Sequence, residues 1–187
     1  MDAYCVYGND LSERGMKKPI PSQDFLLSVF DYDQESGVLT WKHRADMPAK
    51  WNARFAGKRA GTVTSHPSRP YRQVTINYIC YHEHRIIWKM IHGFDPIEVD
   101  HRDLDALNNR IRNLRNATRS NNLRNTRGRS RLGLPKGVTR HSQNGYQASI
   151  RLNGKRTYVG WFKTPEQAHA AYAAAAKQHF GEFARTE

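Results

Sequence analysis

The sequence predicts an α+β protein built from two modules that are joined by a basic linker. Apolar residues recur at helical spacing in some segments and alternate in others, which indicates both helices and half-buried strands. A basic, glycine-containing stretch at 127–135 has no apolar period and is typical of a linker. The 187 residues are 38% hydrophobic, which is enough to build two modest cores.

The first module is predicted to follow a loose leader, residues 1–21, which is polar and ends on prolines. Ser22 is a suitable cap for a helix over residues 23–30, where the apolar side chains recur at helical spacing. A turn at 35–37 and a short strand at 38–41 are expected next.

Two further strands and a second helix complete this part of the prediction. The strands are expected at 60–64 and at 71–79, where Val74, Ile76 and Tyr78 alternate with other residues. An apolar stripe over 86–91 predicts a helix, and Gly93 is a good residue to end it.

The charge of the chain indicates a polyanionic partner. The net charge is +13, the sequence pI is near 10.0, and residues 100–187 carry 11 of the 13 net positive charges. Clustered Lys and Arg gain affinity for phosphates by releasing condensed counterions, so nucleic acid is the first expectation.

Neither a secretion signal nor an apolar run of membrane-spanning length is evident in the sequence. We therefore expect a soluble, cytoplasmic protein. The two cysteines, Cys5 and Cys80, lack the C-x-x-C spacing of a zinc knuckle.

The segment 99–125 is unusual because it holds seven asparagines and six arginines. Asparagine is a poor strand former and a middling helix former, so local folding preference does not explain this enrichment. Within the segment, Asp100 and His101 are adjacent, and Asn113 and Asn122 follow. A general base with a reference pKa of about 6.5, such as His101, suits activation of a water near neutral pH. Asp100 offers an anionic oxygen for a hard divalent cation.

This pattern, with "NNRIRNLR" at 108–115, resembles the HNH endonuclease family. The resemblance implies a ββα-metal (His-Me finger) nuclease domain over 22–126, with its core at 98–126. It implies that Asn122 is the second metal ligand after Asp100, and that the side-chain amide of Asn113 ties the ribbon loop together.

The two proposed ligands are both oxygen donors, although many members of this family have a histidine where Asn122 stands. An all-oxygen pair favours Mg²⁺ or Mn²⁺ over Zn²⁺, one ion per active site. The arginines around the site, Arg115, Arg119 and Arg124, are expected to hold DNA.

Simpler interpretations of these residues also exist. Asp100 and His101 could merely close a strand while the asparagines fill turns, a role expected of Asn108 and Asn109. His82 and His84 are expected to alternate on one face of a strand and could bind a metal, but packing or phosphate contact is the preferred interpretation because no cysteine or third ligand is near.

The second module, 136–187, contains a strong hairpin turn at Asn153-Gly154 between two alternating runs. Pairing across this turn places Arg151 opposite Arg156 and Ser149 opposite Tyr158, on one face with Gln147. The other face is apolar. Thr164 and Pro165 begin an alanine-rich helix that can lie close against that apolar face, and Trp161 and Phe162 are expected in the core.

Motifs such as "NGK" and "Y-x-A-x-I" in this module resemble the Apetala2-type DNA-binding domain. The resemblance implies a small three-stranded antiparallel sheet plus one helix, with the sheet entering the major groove. The residues then expected to contact DNA are Lys136, Thr139, Arg140, Ser149, Arg151, Arg156 and Tyr158.

Together these patterns predict a metal-dependent DNA endonuclease that is targeted to double-stranded DNA by its second module. The resemblance implies a homing-type enzyme of a phage or mobile element. No membrane partner and no small-molecule substrate are expected, and the protein could be a monomer or a dimer. The alternative is a DNA-binding transcriptional regulator that has lost catalysis. A nuclease acting on RNA is a third possibility, but the sequence offers it no single-strand stacking platform.

Overall fold

The computed structural model describes residues 18–64, 70–124, 133–141 and 144–186. Most of the predicted leader and linker lies outside these ranges, as do the side chains of Leu123 and Arg124. The chain packs as two compact units, one ending at Ala117 and the other beginning at Thr118. Within the described residues, no helix combines the length and apolar character needed to cross a lipid bilayer.

The described part of the first unit combines short helices with small antiparallel sheets. The helices are α1 (Gln23–Val29), α2 (Ala49–Phe55) and α3 (Glu83–His92). The strands are β1 (Phe30–Asp33), β2 (Val38–Trp41), β3 (Thr62–Val63), β4 (Arg72–Ile76), β5 (Ile79–His82), β6 (Glu98–His101) and β7 (Leu114–Ala117). They form a β1–β2 pair, a β3–β4–β5 sheet and a β6–β7 ribbon.

Local sequence signals account for the ends of several of these elements. The Ser22 hydroxyl caps α1 by accepting a hydrogen bond from the Phe25 N–H, at 3.3 Å. Gly93 ends α3 in the left-handed conformation, with φ of 78°, which a glycine adopts without steric cost. The strand predicted at 38–41 is also confirmed.

The prediction of one continuous strand over 71–79 is wrong. Residues 72–82 instead form the β4–β5 hairpin, in which Ile76 pairs with Ile79. Asn77 and Tyr78 both have positive φ, of 48° and 64°, as the tight turn between twisted strands requires. Tyr78 therefore points into solvent and is 92% exposed. Because a tyrosine occupies this turn position, the alternation of side chains continues through it, and the sequence of the hairpin resembles that of one strand.

One apolar core holds the first unit together and supports the β6–β7 ribbon. Ile86 and Ile87 of α3 are fully buried, and the core also contains Val99 of β6 and Leu114 of β7. Burying a side chain of this size contributes about 1.5–3 kcal/mol. Val99 and Leu114 therefore fix the ribbon to the core. The polar residues of the ribbon, such as Asp100 and His101, can then contact other side chains.

The second unit contains α4 (Arg119–Arg124), β8 (Val138–His141), β9 (Gly145–Leu152), β10 (Lys155–Phe162) and α5 (Pro165–Phe180). The strands form one antiparallel sheet with β9 in the centre. Helix α5 packs on this sheet through Ala168, Tyr172 and Ala176, which share a core with Ala148 and Ile150.

The hairpin register predicted from Asn153-Gly154 is confirmed, because Arg151 pairs with Arg156 and Ser149 pairs with Tyr158. Thr164 caps α5, again as predicted. The core position expected for Trp161 is wrong, since this side chain is 42% exposed. Its ring covers Gly145, where any side chain would approach it to 2.3 Å.

Candidate active site

The β6–β7 ribbon positions the Asp-His pair. Its register places Asp100 opposite Arg115 and His101 opposite Leu114. All four of these residues are buried. Adjacent residues on a strand point to opposite faces, so Asp100 and His101 take different partners.

The loop between the two strands is tied by the side chain of Asn113. Its Nδ2 donates to Asp103 Oδ1 at 2.9 Å and to the Asn108 carbonyl at 2.8 Å. Its Oδ1 accepts from the Asp103 N–H at 3.2 Å. Burial by itself raises the pKa of Asp103, but the hydrogen bonds from Asn113 and Asn108 outweigh it, so the pKa lies below its ordinary value. These bonds give the loop one shape; a catalytic role for Asn113 stays a prediction.

His101 is held from two sides. Its Nε2 lies 3.0 Å from Asn109 Oδ1, and the ring of His84 meets it edge-on, with centroids 5.1 Å apart. Asn109 is itself buried, and its Nδ2 donates to Glu83 Oε2 at 2.5 Å. A buried histidine with a defined partner has a restricted ring orientation, as a general base needs.

Glu83 is a fully buried carboxylate at the start of α3. Burial raises the pKa of Glu83, although the hydrogen bond from Asn109 and the charges of Arg59 and Arg72 oppose this effect. Arg72 Nε lies 3.8 Å from Glu83 Oε2. The sequence predicts no role for Glu83. It predicts only that Asn109 helps to turn the ribbon, so a role for Asn109 in the site is new.

Asp100 and Arg115 form a buried ion pair. Both Nε and Nη2 of Arg115 contact Asp100 Oδ2, at 2.8 Å and 2.6 Å. Arg115 was predicted to hold DNA, but the structure places its guanidinium against Asp100, where the side chain is 6% exposed. Arg115 lies there because Asp100 is its partner on the neighbouring strand. The basic composition of the segment does not determine this position.

The proposed metal ligands fit a hard divalent ion in their chemistry. Asp100 supplies a carboxylate oxygen, and its ion pair shows that this position favours positive charge. Asn122 lies on α4, in the second unit, and its assignment as a ligand stays a prediction. Among residues 18–64, 70–124, 133–141 and 144–186, no group of three or more His, Cys, Asp or Glu side chains is placed to hold a metal.

The two histidines considered as an alternative metal site lie on different elements. His82 ends β5, whereas His84 belongs to α3, so they do not alternate along one strand. Their rings stack in parallel with centroids 5.3 Å apart. His84 then contacts His101, which makes it part of the packing around the candidate base.

The second unit presents a basic face on its sheet. Arg156 donates from Nε to Ser149 Oγ at 2.8 Å and from Nη2 to Thr139 Oγ1 at 3.1 Å, which orients its guanidinium across all three strands. Arg151 is exposed and faces Arg156 across the hairpin. Tyr158 on the same face is 61% exposed. Two facing guanidiniums repel each other unless an anion lies between them.

The remaining residues predicted to bind DNA differ in exposure. Arg119 on α4 and Arg140 on β8 are exposed. Lys136 is half-buried, and burial together with the charge of Arg185 lowers the pKa of its amine. The side chain of Arg124 lies outside the described residues.

The turn between β1 and β2 abuts the site loop at Gly37. Gly37 has a φ of 75°, and a methyl group there would lie 2.6 Å from the Arg110 backbone nitrogen and 2.8 Å from the Asn109 carbonyl carbon. Gly57 is the matched control, because its φ is 74° but nothing lies within 4 Å of such a methyl group.

We expect Gly57→Ala to cost about 1 kcal/mol through left-handed backbone strain alone. Gly37→Ala should cost about 1–3 kcal/mol more, because the clash is with backbone atoms that cannot rotate away. Urea unfolding of both variants measures the difference. Equal losses for the two variants would show that the turn does not press on the loop.

Comparison with known proteins shows what the segment around this site is similar to. Residues 81–124 match the family model described as HNH endonuclease, and this segment contains α3, the ribbon and α4. A curated relative, described as an uncharacterised HNH endonuclease of Acanthamoeba polyphaga mimivirus, is 41% identical over 104 residues. The alignment covers 54% of each chain, so this protein spans about half the length of that relative. No solved structure matches the chain significantly.

Proposed function

We propose that the protein is a metal-dependent DNA endonuclease that hydrolyses phosphodiester bonds with His101 as its general base. The observation that carries this proposal is the buried Asp100-His101 pair at the end of β6, inside the segment that matches the HNH endonuclease model. Hydrolysis requires a group that takes a proton from the attacking water. His101, oriented by Asn109, is suited to that task.

Asp100 and Asn122 are the residues that would hold one Mg²⁺ or Mn²⁺ ion. When bound, such an ion neutralises charge on the phosphate and on the departing oxygen. The all-oxygen chemistry of the two side chains supports this part of the proposal. Within the protein, Asn113 would keep the loop shape, and Arg119 would contact the DNA backbone.

The sheet of the second unit is the proposed targeting surface for double-stranded DNA, in the manner of an Apetala2-type domain. Its support is the face formed by Thr139, Ser149, Arg151, Arg156 and Tyr158, in which Arg156 is already oriented by two hydrogen bonds. Joining a weak sequence reader to a catalytic unit raises the local concentration of the chemistry at a target site. Such an arrangement fits a homing-type enzyme of a phage or mobile element, and the viral relative supports that origin.

Incubation of purified protein with supercoiled plasmid and a series of divalent ions tests the proposal. Nicked or linear product that requires the ion is the expected result. A His101→Ala preparation purified in parallel controls for contaminating nuclease. The absence of nicking and linearisation with every ion would contradict the proposed function.

A DNA-binding regulator without catalysis is the second candidate, because the basic sheet face lies in a unit with its own core. DNA binding by a protein that fails the plasmid assay would favour this candidate. If the protein does cleave the plasmid, sequencing the cleaved ends would identify the target sequence and show whether one or both strands are cut.

Replacement of Arg151 by alanine should relax the choice of cleavage site more than it slows hydrolysis. An arginine that contacts base edges contributes about 1–3 kcal/mol of discrimination, whereas the proposed general base His101 lies in the other unit. The measurement is the distribution of cut sites on a long DNA, together with the total cleavage rate.

Lys177→Ala is the matched control for Arg151→Ala. Lys177 is exposed on α5, which packs against the opposite face of the same sheet, and the substitution removes the same charge. An unchanged distribution of cut sites in Arg151→Ala would overturn the assignment of the basic face.

A further inference from the structure

A buried chain of hydrogen bonds leads from the candidate base back to α3. His101 Nε2 lies 3.0 Å from Asn109 Oδ1, and Asn109 Nδ2 lies 2.5 Å from Glu83 Oε2. Glu83 and Asn109 are 0% and 1% exposed. Burying a carboxylate and an amide is costly, so their presence beside His101 calls for a role.

The chemistry of the three groups sets the direction of each bond. The charges of Arg59 and Arg72 favour the ionised form of Glu83 against the effect of burial. An ionised carboxylate can only accept, so Glu83 requires the NH₂ end of the Asn109 amide. The oxygen end of that amide then faces His101, and an oxygen can only accept from an imidazole N–H. A flipped amide would set oxygen against carboxylate in a buried site. The proton of neutral His101 therefore sits on Nε2, and the lone pair is on Nδ1.

The backbone of Asn109 is also held by contacts from other parts of the first unit. The Tyr32 hydroxyl donates to the Asn109 carbonyl at 2.8 Å. The turn at Gly37 packs directly on the backbone between Asn109 and Arg110. Contacts from β1 and from the β1–β2 turn thus fix the backbone of Asn109, the residue that contacts the imidazole of His101.

We propose that Glu83 and Asn109 are positioning residues that fix the ring of His101, with the proton on Nε2 and Nδ1 as the nitrogen that accepts the proton of the water. The proposal rests on the nuclease function proposed above. Neither side chain touches the substrate in this role. Glu83 acts only through Asn109, and Asn109 acts only through His101.

The first test is a nitrogen-15 NMR spectrum of the imidazoles in the full-length protein, which does not depend on cleavage. We expect His101 to show a single tautomer with a hydrogen-bonded Nε2 proton that is protected from exchange with water. Asn109→Ala should abolish this protection. A His101 ring protonated on Nδ1, or an Nε2 proton equally protected in Asn109→Ala, would overturn the proposal even if the protein cleaves DNA.

The second test uses cleavage rates under saturating DNA. Asn109→Ala should lower kcat by roughly ten- to a hundredfold, the scale of a lost bond to a buried polar group, with little change in KM. Asn116→Ala is the matched control, because Asn116 lies on the same ribbon and its side-chain oxygen accepts from the Ile97 N–H. An equal loss in both variants would indicate general damage to the ribbon and would contradict the proposal.

Paired substitutions test the direction of the bonds. Asn109→Asp alone sets two carboxylates against each other and should impair kcat. Adding Glu83→Gln supplies an amide NH₂ that can donate to the new carboxylate, which can then accept from His101. We expect this double variant to recover at least tenfold of the rate lost by Asn109→Asp. No recovery, in double-variant protein with wild-type folding by circular dichroism, would refute the assigned direction.

Discussion

His101→Ala should lower the rate of DNA cleavage by about 10²- to 10⁴-fold, the usual contribution of a positioned general base. The proposed base is removed, while the basic face of the second unit is untouched. DNA affinity should therefore stay within a factor of about two to three of the wild-type value. Single-turnover cleavage of a plasmid and fluorescence anisotropy with labelled DNA measure the two quantities.

His179→Ala is a suitable control, because His179 is exposed near the end of α5. It should cleave and bind like the wild type. The thermal midpoint must be measured for both variants, since His101 is buried and its loss removes the hydrogen-bond partner of Asn109 Oδ1. A parallel loss of binding and cleavage in folded His101→Ala would contradict the general-base role.

Arg115→Leu should destabilise the first unit by about 3–5 kcal/mol, because it removes one partner of a buried ion pair. The Asp100 carboxylate, 4% exposed, would lose the guanidinium that contacts it at 2.6 Å. Urea unfolding followed by tryptophan fluorescence measures this loss, and Trp41, Trp51 and Trp88 all report on the first unit.

Arg112→Leu provides the control of the same residue type. Its pair with Glu35 is 3.8 Å apart and both side chains are largely exposed, so the expected cost is about 0–1 kcal/mol. A cost below about 1 kcal/mol for Arg115→Leu would show that the buried pair is not structural.

The same variant also probes the metal proposal without an activity assay. If Asp100 binds a divalent ion, Mg²⁺ at ten times its dissociation constant should restore about 1.4 kcal/mol to Arg115→Leu. The double variant Asp100→Asn, Arg115→Leu should gain much less. Equal gains in the two proteins would exclude Asp100 as a ligand.

Local signals account for the parts of the fold that could be predicted. The hairpin at Asn153-Gly154 was predicted with its register, because a two-residue turn determines which residues face each other. The cap of α1 at Ser22 and the end of α3 at Gly93 also depend on neighbouring residues alone. Where the turn residues are atypical, as at Asn77 and Tyr78, the alternation of side chains predicts one strand in place of two.

For the candidate site, the residues proposed to carry the chemistry could be predicted from one continuous segment, since Asp100 and His101 are adjacent and Asn113 follows them at short spacing. Their partners come from other elements of the fold. Glu83 is 26 residues from Asn109 along the chain, and Tyr32 is 77 residues away. Arg115, predicted to hold DNA, is turned onto Asp100 by strand pairing. Burial and charge pairing depend on which elements pack together, and the residues next to Asp100 and His101 in the sequence do not encode that packing.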